Sequence, residues 1–438
     1  MSPSELPLHH QVPGEIMSEI FIQYYGTDGA PWVTQKLSSI CKTWLEIALK
    51  TPELWADIRI RSLVSVSIET ISKAADWLKR SKTRPCSITL LIGDMAEVPI
   101  TILPFLVLPV NDRIRRLDLS VPSSVLRPFA SLLPFRMPKL DTLRIRAPFI
   151  ISFPPNAFSS CPRVQHVALD FRDETMIEYA DKLTMFPWEN ATDILLRNIP
   201  VRADAIYEAF CASPKVASCD ITFRGWAAPV PPFLMHSSLA LTTMRLSVVD
   251  SGLITPFLRS LRVPALTTLE IRGHAKLVDE DLSSTLLALH RNGPFQLTRL
   301  SIQDILTLRP EPLIEFFGLV PTIRSLVLSN CYGSLTEKFA SMLVKYDNQA
   351  VLLPSLTRVI FSQQSLCTMT NETLLDFLTS RVLQLEDAEA ESADMVAILE
   401  RFQFSDGRIM DEETLEGFEV LVPAGLHLRI EGELRCCK

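Results

Sequence analysis

Glycine is scarce in this chain, at 14 of 438 residues, and none of the glycine-dependent catalytic patterns occurs: no GxGxxG, no GxxxxGK[ST], no GxSxG. Nucleotide-cradling loops and a nucleophile elbow need those glycines for tight turns and close backbone approach, so both are excluded at the level of motif. HExxH is absent, and the seven histidines (9, 10, 166, 236, 274, 290 and 427) show no metal-ligand spacing. The nine cysteines include no CxxC, which points to reduced thiols in a reducing compartment. Positive charge is not in excess: the formal net charge is −7. Phosphate backbones reward a basic surface, so nucleic acid is not an expected partner. A spanning segment is lacking too. The most apolar run, VPITILPFLVLPV at 98–110, has thirteen residues and three prolines, too short for a bilayer. MSPSELPLHHQ at the start has no apolar signal core. No catalytic residue, metal or cofactor is expected, and the expected setting is cytoplasmic and/or nuclear, away from membranes.

What the chain has instead is proline, 31 in all, and placed with a period. PKLDTLRI (138), PRVQHVAL (162), PKVASCDI (214), PALTTLEI (264), PTIRSLVL (321) and PSLTRVIF (354) all fit Pro-x-φ-x-x-φ-x-φ, where φ is mostly aliphatic. IRRLDL (114), ATDILL (191), LTTMRL (241) and LTRLSI (297) fit without the proline. The central φ positions are Leu117, Leu143, Val167, Ile194, Cys219, Met244, Leu269, Leu300, Leu326 and Val359, spaced by 24 to 33 residues. A unit of that length lies in the leucine-rich-repeat range. Its φ-x-φ is a short strand with one apolar side, and stacking buries what a single unit cannot. Proline lacks an N–H and stops a helix, so it belongs at a strand entrance. VDEDLSSTLLALHRN (278–292) and EPLIEFFGLV (311–320) are helix-like runs between strands. The expected fold is α/β: a short helical module followed by an irregular solenoid, parallel strands on the concave face and helices or loops on the convex one. The Asn or Cys that closes a standard leucine-rich unit is present only as Cys331; Pro122, Pro148, Arg172, Ile199, Arg224, Val249, His274, Ile305 and Gln364 stand there in the other units.

The residues beside the φ positions face away from the core. They include Arg116, Arg144, Arg146, Arg197, Arg245, Arg272, Arg299 and Arg358, against Asp118, Asp170, Asp193, Asp220 and Glu270. Two readings of those arginines stand side by side. They pair with strand neighbours such as Asp118 or Glu270 and pack their stems on the sheet, or they recruit an acidic or phosphorylated partner segment.

The first sixty residues are different. In VPGEIMSEIFIQYY, Val12, Ile16 and Ile20 stand four apart with Met17, Phe21 and Tyr24 beside them. In LSSICKTWLEIALK, Leu37, Ile40, Cys41, Trp44 and Ala48 mark one helical face. Thr51-Pro52-Glu53 reads as a cap and first turn carrying Leu54 and Trp55, and Asp57-Ile58-Arg59-Ile60 alternates like a strand. Domains of 1–8 (tail), 9–61 (helical module), 62–85 (linking helix), 86–363 (repeats) and 364–438 (terminal repeat or cap) follow.

VPGEIMSEIF (12–21), LSSICKTW (37–44), TPELWADIRI (51–60) and ADWLKRSKTRPCSITLLI (75–92) together resemble the F-box and following link of fungal, basidiomycete-type F-box-like proteins with divergent leucine-rich repeats. Val12 replaces the usual leucine of the LPxEIxxxIF pattern. The resemblance implies a substrate receptor of a Skp–cullin–F-box ubiquitin ligase. In that role Pro13, Ile16, Ile20, Leu37, Ile40, Cys41 and Trp44 are adaptor-facing or box-core positions, and Trp55 seals the box onto the repeats. A Skp-type adaptor, a cullin through it, and a protein substrate on the repeats are the implied partners. The alternative is a non-catalytic repeat scaffold that no longer binds the adaptor.

Overall fold

The computed structural model describes residues 12–28, 36–132, 134, 136–148, 154, 157–171, 186–197, 203–223, 236–248, 254–273, 281–305, 308–331, 336–344, 351–362, 369–382, 396–405, 412–423 and 426–430. The expected tail 1–8 lies outside them, as do Arg172, Ile199, Arg224, Val249, His274 and Gln364. The chain divides into two compact units, Met1–Pro200 and Val201–Lys438. The division falls within the run of repeats; the N-terminal helices belong to the first unit.

In the first unit, six strands follow one another in chain order, each parallel to the next: β1 (Asp57–Ser62), β2 (Cys86–Ile92), β3 (Ile114–Ser120), β4 (Thr142–Ala147), β5 (His166–Phe171) and β6 (Asp193–Arg197). The second unit has β7 (Ser218–Phe223), β8 (His236–Ser237), β9 (Thr243–Val248), β10 (Leu261–Arg262), β11 (Thr268–Gly273), β12 (Arg299–Gln303), β13 (Ser325–Ser329), β14 (Arg358–Ser362), β15 (Arg401–Ser405) and β16 (His427–Ile430). Eight of these form its sheet in the order β7-β9-β11-β12-β13-β14-β15-β16, and β8 pairs with β10 apart from it. Parallel neighbours in sequence order require a return segment between strands. Helices Ile254–Arg259, Leu282–Asn292 and Pro310–Leu319 supply it and touch in succession, as do Glu337–Leu343, Asn371–Val382 and Glu412–Leu421. Strand–helix units stacked in this way are a solenoid of leucine-rich-repeat type.

The repeat frame holds without a slip. Leu117, Leu143, Val167 and Ile194 are register partners in the first unit. Cys219, Met244, Leu269, Leu300, Leu326 and Val359 are partners in the second. All ten are buried. The strands run beyond 86–363: β1 precedes that range in the first unit, and β15 and β16 follow it in the second with Phe402 and Leu428 in the φ row. β15 has Ala397 in place of the leading proline and Phe402 and Phe404 in place of aliphatics, whereas β16 keeps the proline as Pro423 but has Gly425 where the first φ residue belongs.

The asparagine ladder is replaced at the other end of the strand. The residue preceding the strand is threonine in five units. Each hydroxyl donates to the carbonyl of the residue preceding the neighbouring strand: Thr192 to Gln165 (3.3 Å), Thr242 to Ala217 (3.0 Å), Thr267 to Thr242 (3.1 Å), Thr298 to Thr267 (3.1 Å) and Thr357 to Arg324 (3.3 Å). The same carbonyls accept two backbone N–H groups, as Thr242 does from Thr267 and Thr268. The signal stood in the sequence as φ-Thr before each strand (Leu241-Thr242, Leu266-Thr267, Leu297-Thr298, Leu356-Thr357). Thr267→Val keeps shape and removes one net hydrogen bond. It should lower stability by about 0.5–1.5 kcal/mol in a urea melt, and an unchanged midpoint would show the ladder to be incidental. Cys331 acts as the standard closing residue would: it is buried, and its thiol lies 3.3 Å from the carbonyls of Ile302 and Ser329. Pro122, Pro148 and Ile305 offer no side-chain donor there.

The chain leaves β12 and β13 through left-handed residues, Asp304 (φ 57°) and Asn330 (φ 52°), types that tolerate that region. The Asn330 amide donates to the Asp304 carboxylate at 3.0 Å. At the matching place after Arg272 stands Gly273, where a Cβ would lie 2.2 Å from the Asp304 carbonyl oxygen. Only glycine fits that approach.

Candidate protein-interaction surfaces

The N-terminal module is built on helix Gly14–Asp28, a helical turn at 36–38, helix Lys42–Lys50 and the 3-10 turn Pro52–Trp55. Its core is Met17, Phe21, Leu37, Ala48, Leu54 and Trp55, with Val12, Ile22, Trp44, Ile47 and Trp77 packed against it. The expected continuous helix through Leu37 and Ala48 is broken: Cys41 is extended and caps Lys42–Lys50, its sulfur 3.5 Å from the Trp44 N–H. Thr51 does not cap the turn that follows it. Its hydroxyl donates to Ile47 O at 2.8 Å and lies 3.0 Å from the Ser18 hydroxyl, closing the preceding helix onto the first.

The expected adaptor positions separate into two groups. Ile16, Ile20 and Ile40 are 54%, 49% and 56% exposed, and Pro13 is exposed beside them in sequence. Ile16, Ile20 and Tyr24 stand four apart on one helix, a stripe on the side away from buried Met17 and Phe21. Leu37 is buried, and Cys41 and Trp44 are half-buried, with Trp44 tilted against Phe21 at 4.9 Å. These three belong to the module's own interior. Trp55 lies between the module and helix Ile68–Arg80: its ring meets Trp77 edge-on at 5.6 Å and its N–H donates to Ala48 O at 2.7 Å.

The open face of each sheet carries the residues that alternate with the buried φ positions. Among the described residues, ion pairs within the sheets engage four of the eight arginines expected there. Arg116 and Arg144 lie 3.6 and 3.9 Å from Asp118, a buried carboxylate of β3. His166 of β5 meets Asp193 of β6 at 2.9 Å. In the second unit Arg245 and Arg299 converge on Glu270 from either side, both at 3.2 Å. Arg272 makes two hydrogen bonds to the Gln303 side chain, 3.1 and 2.6 Å. Arg197 is exposed on β6. Among the described residues, no carboxylate lies within 4 Å of Arg146 or Arg358. Sequence reasoning did not include Arg401, which stands directly beside Arg358 in register, nor Arg324, one residue before β13. Aligning RVIFS with RFQFS would have revealed the first.

The buried thiols offer no nucleophile. Desolvation pushes Cys161 up to about 11 and Cys219 and Cys331 to about 12, so all three are protonated thiols at neutral pH. No disulfide joins the described cysteines, and among the described residues no group of histidine, cysteine and carboxylate is placed to hold a metal. No described helix is long and apolar enough to cross a membrane.

No protein-family model matches the chain, and no curated protein matches it. Among solved structures it is similar to an internalin from Listeria monocytogenes, at 10% identity, covering 75% of this chain and 86% of that one with a TM-score of 0.36.

Proposed function

We propose that the chain is a non-catalytic receptor: the N-terminal helices dock a Skp-type adaptor of a cullin ubiquitin ligase, and the open sheet faces hold the protein to be modified. The observation that carries this reading is the division of labour on helix Gly14–Asp28. Met17 and Phe21 complete the module's core, while Ile16 and Ile20, one turn apart, leave a second apolar stripe in solvent. A helix apolar on two sides is ordinarily covered on both, and interface energy concentrates in a few such anchors.

The test uses purified adaptor and the full chain. Ile16→Asp with Ile20→Asp should weaken binding by at least about a hundredfold, with circular dichroism unchanged because neither side chain is in the core. Trp44→Ala is the wrong probe, because Trp44 packs on Phe21. Failure of the unaltered chain to bind adaptor at micromolar concentration would favour the scaffold alternative.

A further inference from the structure

Charge pairing on the second unit's open face stops at β12. Upstream, Glu270 sits between Arg245 and Arg299 and pairs with both. Downstream the row reads Ser325, Arg358, Arg401, His427 in direct register across β13 to β16. Arg324 precedes Ser325 in that row's β13. Parallel neighbours stand about 4.8 Å apart, and like charges directly opposite are destabilising. Glu400 is the one acid in these four strands and the residue preceding each, and it forms no ion pair with Arg324, Arg358 or Arg401. The Arg358 Nε is out of solvent and without a hydrogen-bond acceptor.

The adjacent row differs in kind. Two residues along the same strands, Val327 and Ile360 are register partners, half-buried on the open face. Two residues further, Ser329, Ser362 and Ser405 form a hydroxyl row, with Ser362 donating to Ser329 at 2.8 Å. Cationic and apolar rows are thus separated by two residues of strand, about 6.6 Å. An extended peptide lying along the strands places residues i and i+2 at that same interval.

We propose that β13 to β15 form a docking site for an extended acidic protein segment, its anionic side chain held between Arg358 and Arg401 with Arg324 at the rim. An aliphatic side chain two positions later rests on Val327 and Ile360. Arginine's planar fork suits either a carboxylate or a phosphate. The proposal rests on the receptor reading and names the substrate site within it. It moves that site away from Arg116, Arg144, Arg245 and Arg299, which face carboxylates of the sheet, and from Arg272, which is held by Gln303.

The experiment measures fluorescence anisotropy of the full chain with three labelled decapeptides. They carry phosphoserine, glutamate or serine two residues before a leucine. The phosphoserine or the glutamate peptide should bind at least tenfold tighter than the serine peptide, and the tighter of the two identifies the anion's source. Arg358→Gln with Arg401→Gln should remove at least tenfold of that affinity, and Arg146→Gln should remove none. Arg401→Gln alone should raise the melting temperature, because it relieves a repulsion; a lower melting temperature would make the row structural. Equal affinity for all three peptides, no binding at millimolar peptide, binding unaffected by the double change, or tighter binding of a single-stranded oligonucleotide would each overturn the site. No adaptor is present in this assay. Peptide capture without adaptor binding would therefore sink the ligase role and keep the site, and the reverse result would do the opposite.

Discussion

Replacing Arg381 by alanine is expected to destabilise the second unit by about 3 kcal/mol or more, from about 1–3 kcal/mol per stranded buried acceptor. Arg381 lies on helix Asn371–Val382 and is 1% exposed, and no carboxylate among the described residues pairs with it. Its Nε donates to Leu343 O at 3.0 Å, and one terminal nitrogen donates to Leu352 O (2.9 Å) and Leu353 O (3.3 Å). The guanidinium is therefore a clamp on the chain that enters β14, where Leu353 is itself left-handed at φ 55°. Burial pulls its pKa down to about 10, so it remains a cation at neutral pH. The folded value lies below the unfolded one. Its ionisation thus opposes folding below about 10, and the penalty relaxes only as pH rises past it. No stability step near neutrality is expected from this group. Arg381→Met keeps most of the volume and discards the donors. If alanine and methionine destabilise equally in a urea melt, the carbonyl clamp is the main contribution; if methionine is neutral, packing is.

Trp55→Ala should lower the stability of the first unit by about 3–5 kcal/mol. The side chain is buried among Ala48, Leu54 and Trp77, with the Arg80 guanidinium 4.9 Å above its ring. Loss of the ring opens a cavity and removes the indole N–H from the Ala48 carbonyl, which keeps only the Thr51 N–H. Trp55→Phe should recover most of the packing and none of the hydrogen bond. Limited proteolysis gives the second readout: the alanine variant should be cut between residues 50 and 68 faster than the unaltered chain. A loss under about 1 kcal/mol, with no change in cleavage, would show that the helical module stands apart from the strands that follow it.

The repeats were legible because their signal is redundant. A buried φ-x-φ recurs, and a one-residue slip would turn Leu143 and Ile145 outward and Arg144 inward, so register follows from pattern alone. The terminal segment reads only as a repeat or cap, because β15 puts Phe402 and Phe404 where aliphatics stand elsewhere and has no proline at its entrance, and because Gly425 takes the first φ place before β16. The helical module was legible in its elements and only partly in its surfaces. Helix Gly14–Asp28 is apolar on two sides, and periodicity cannot tell which side faces the core. Met17 and Phe21 won, and Ile16 and Ile20 did not. Cys41 looked like a member of an apolar face because its role as a cap depends on local backbone and not on spacing. Among the arginines, the row and two of the acids that engage it, Asp118 and Glu270, were legible, but not which arginine is left over. Whether Arg245 or Arg358 is engaged depends on what stands on the next strand, some 25 to 33 residues away, and that becomes readable only once register is known.

The threonine hydroxyls fasten five strands where they enter the sheet, against two such side-chain bonds at the described exits, Asn330 to Asp304 and Ser362 to Ser329. Fastening weighted to the entrances makes the exits the natural place for length change. An insertion after a strand leaves the pinned entrance of the next one in place, and loop closure costs rise only slowly with length. The unequal spacing of the repeats, 24 residues in one place and 33 in another, is then what drift in such an array produces: each unit lengthens or shortens on its outgoing side while the rows of residues across the sheet stay in line.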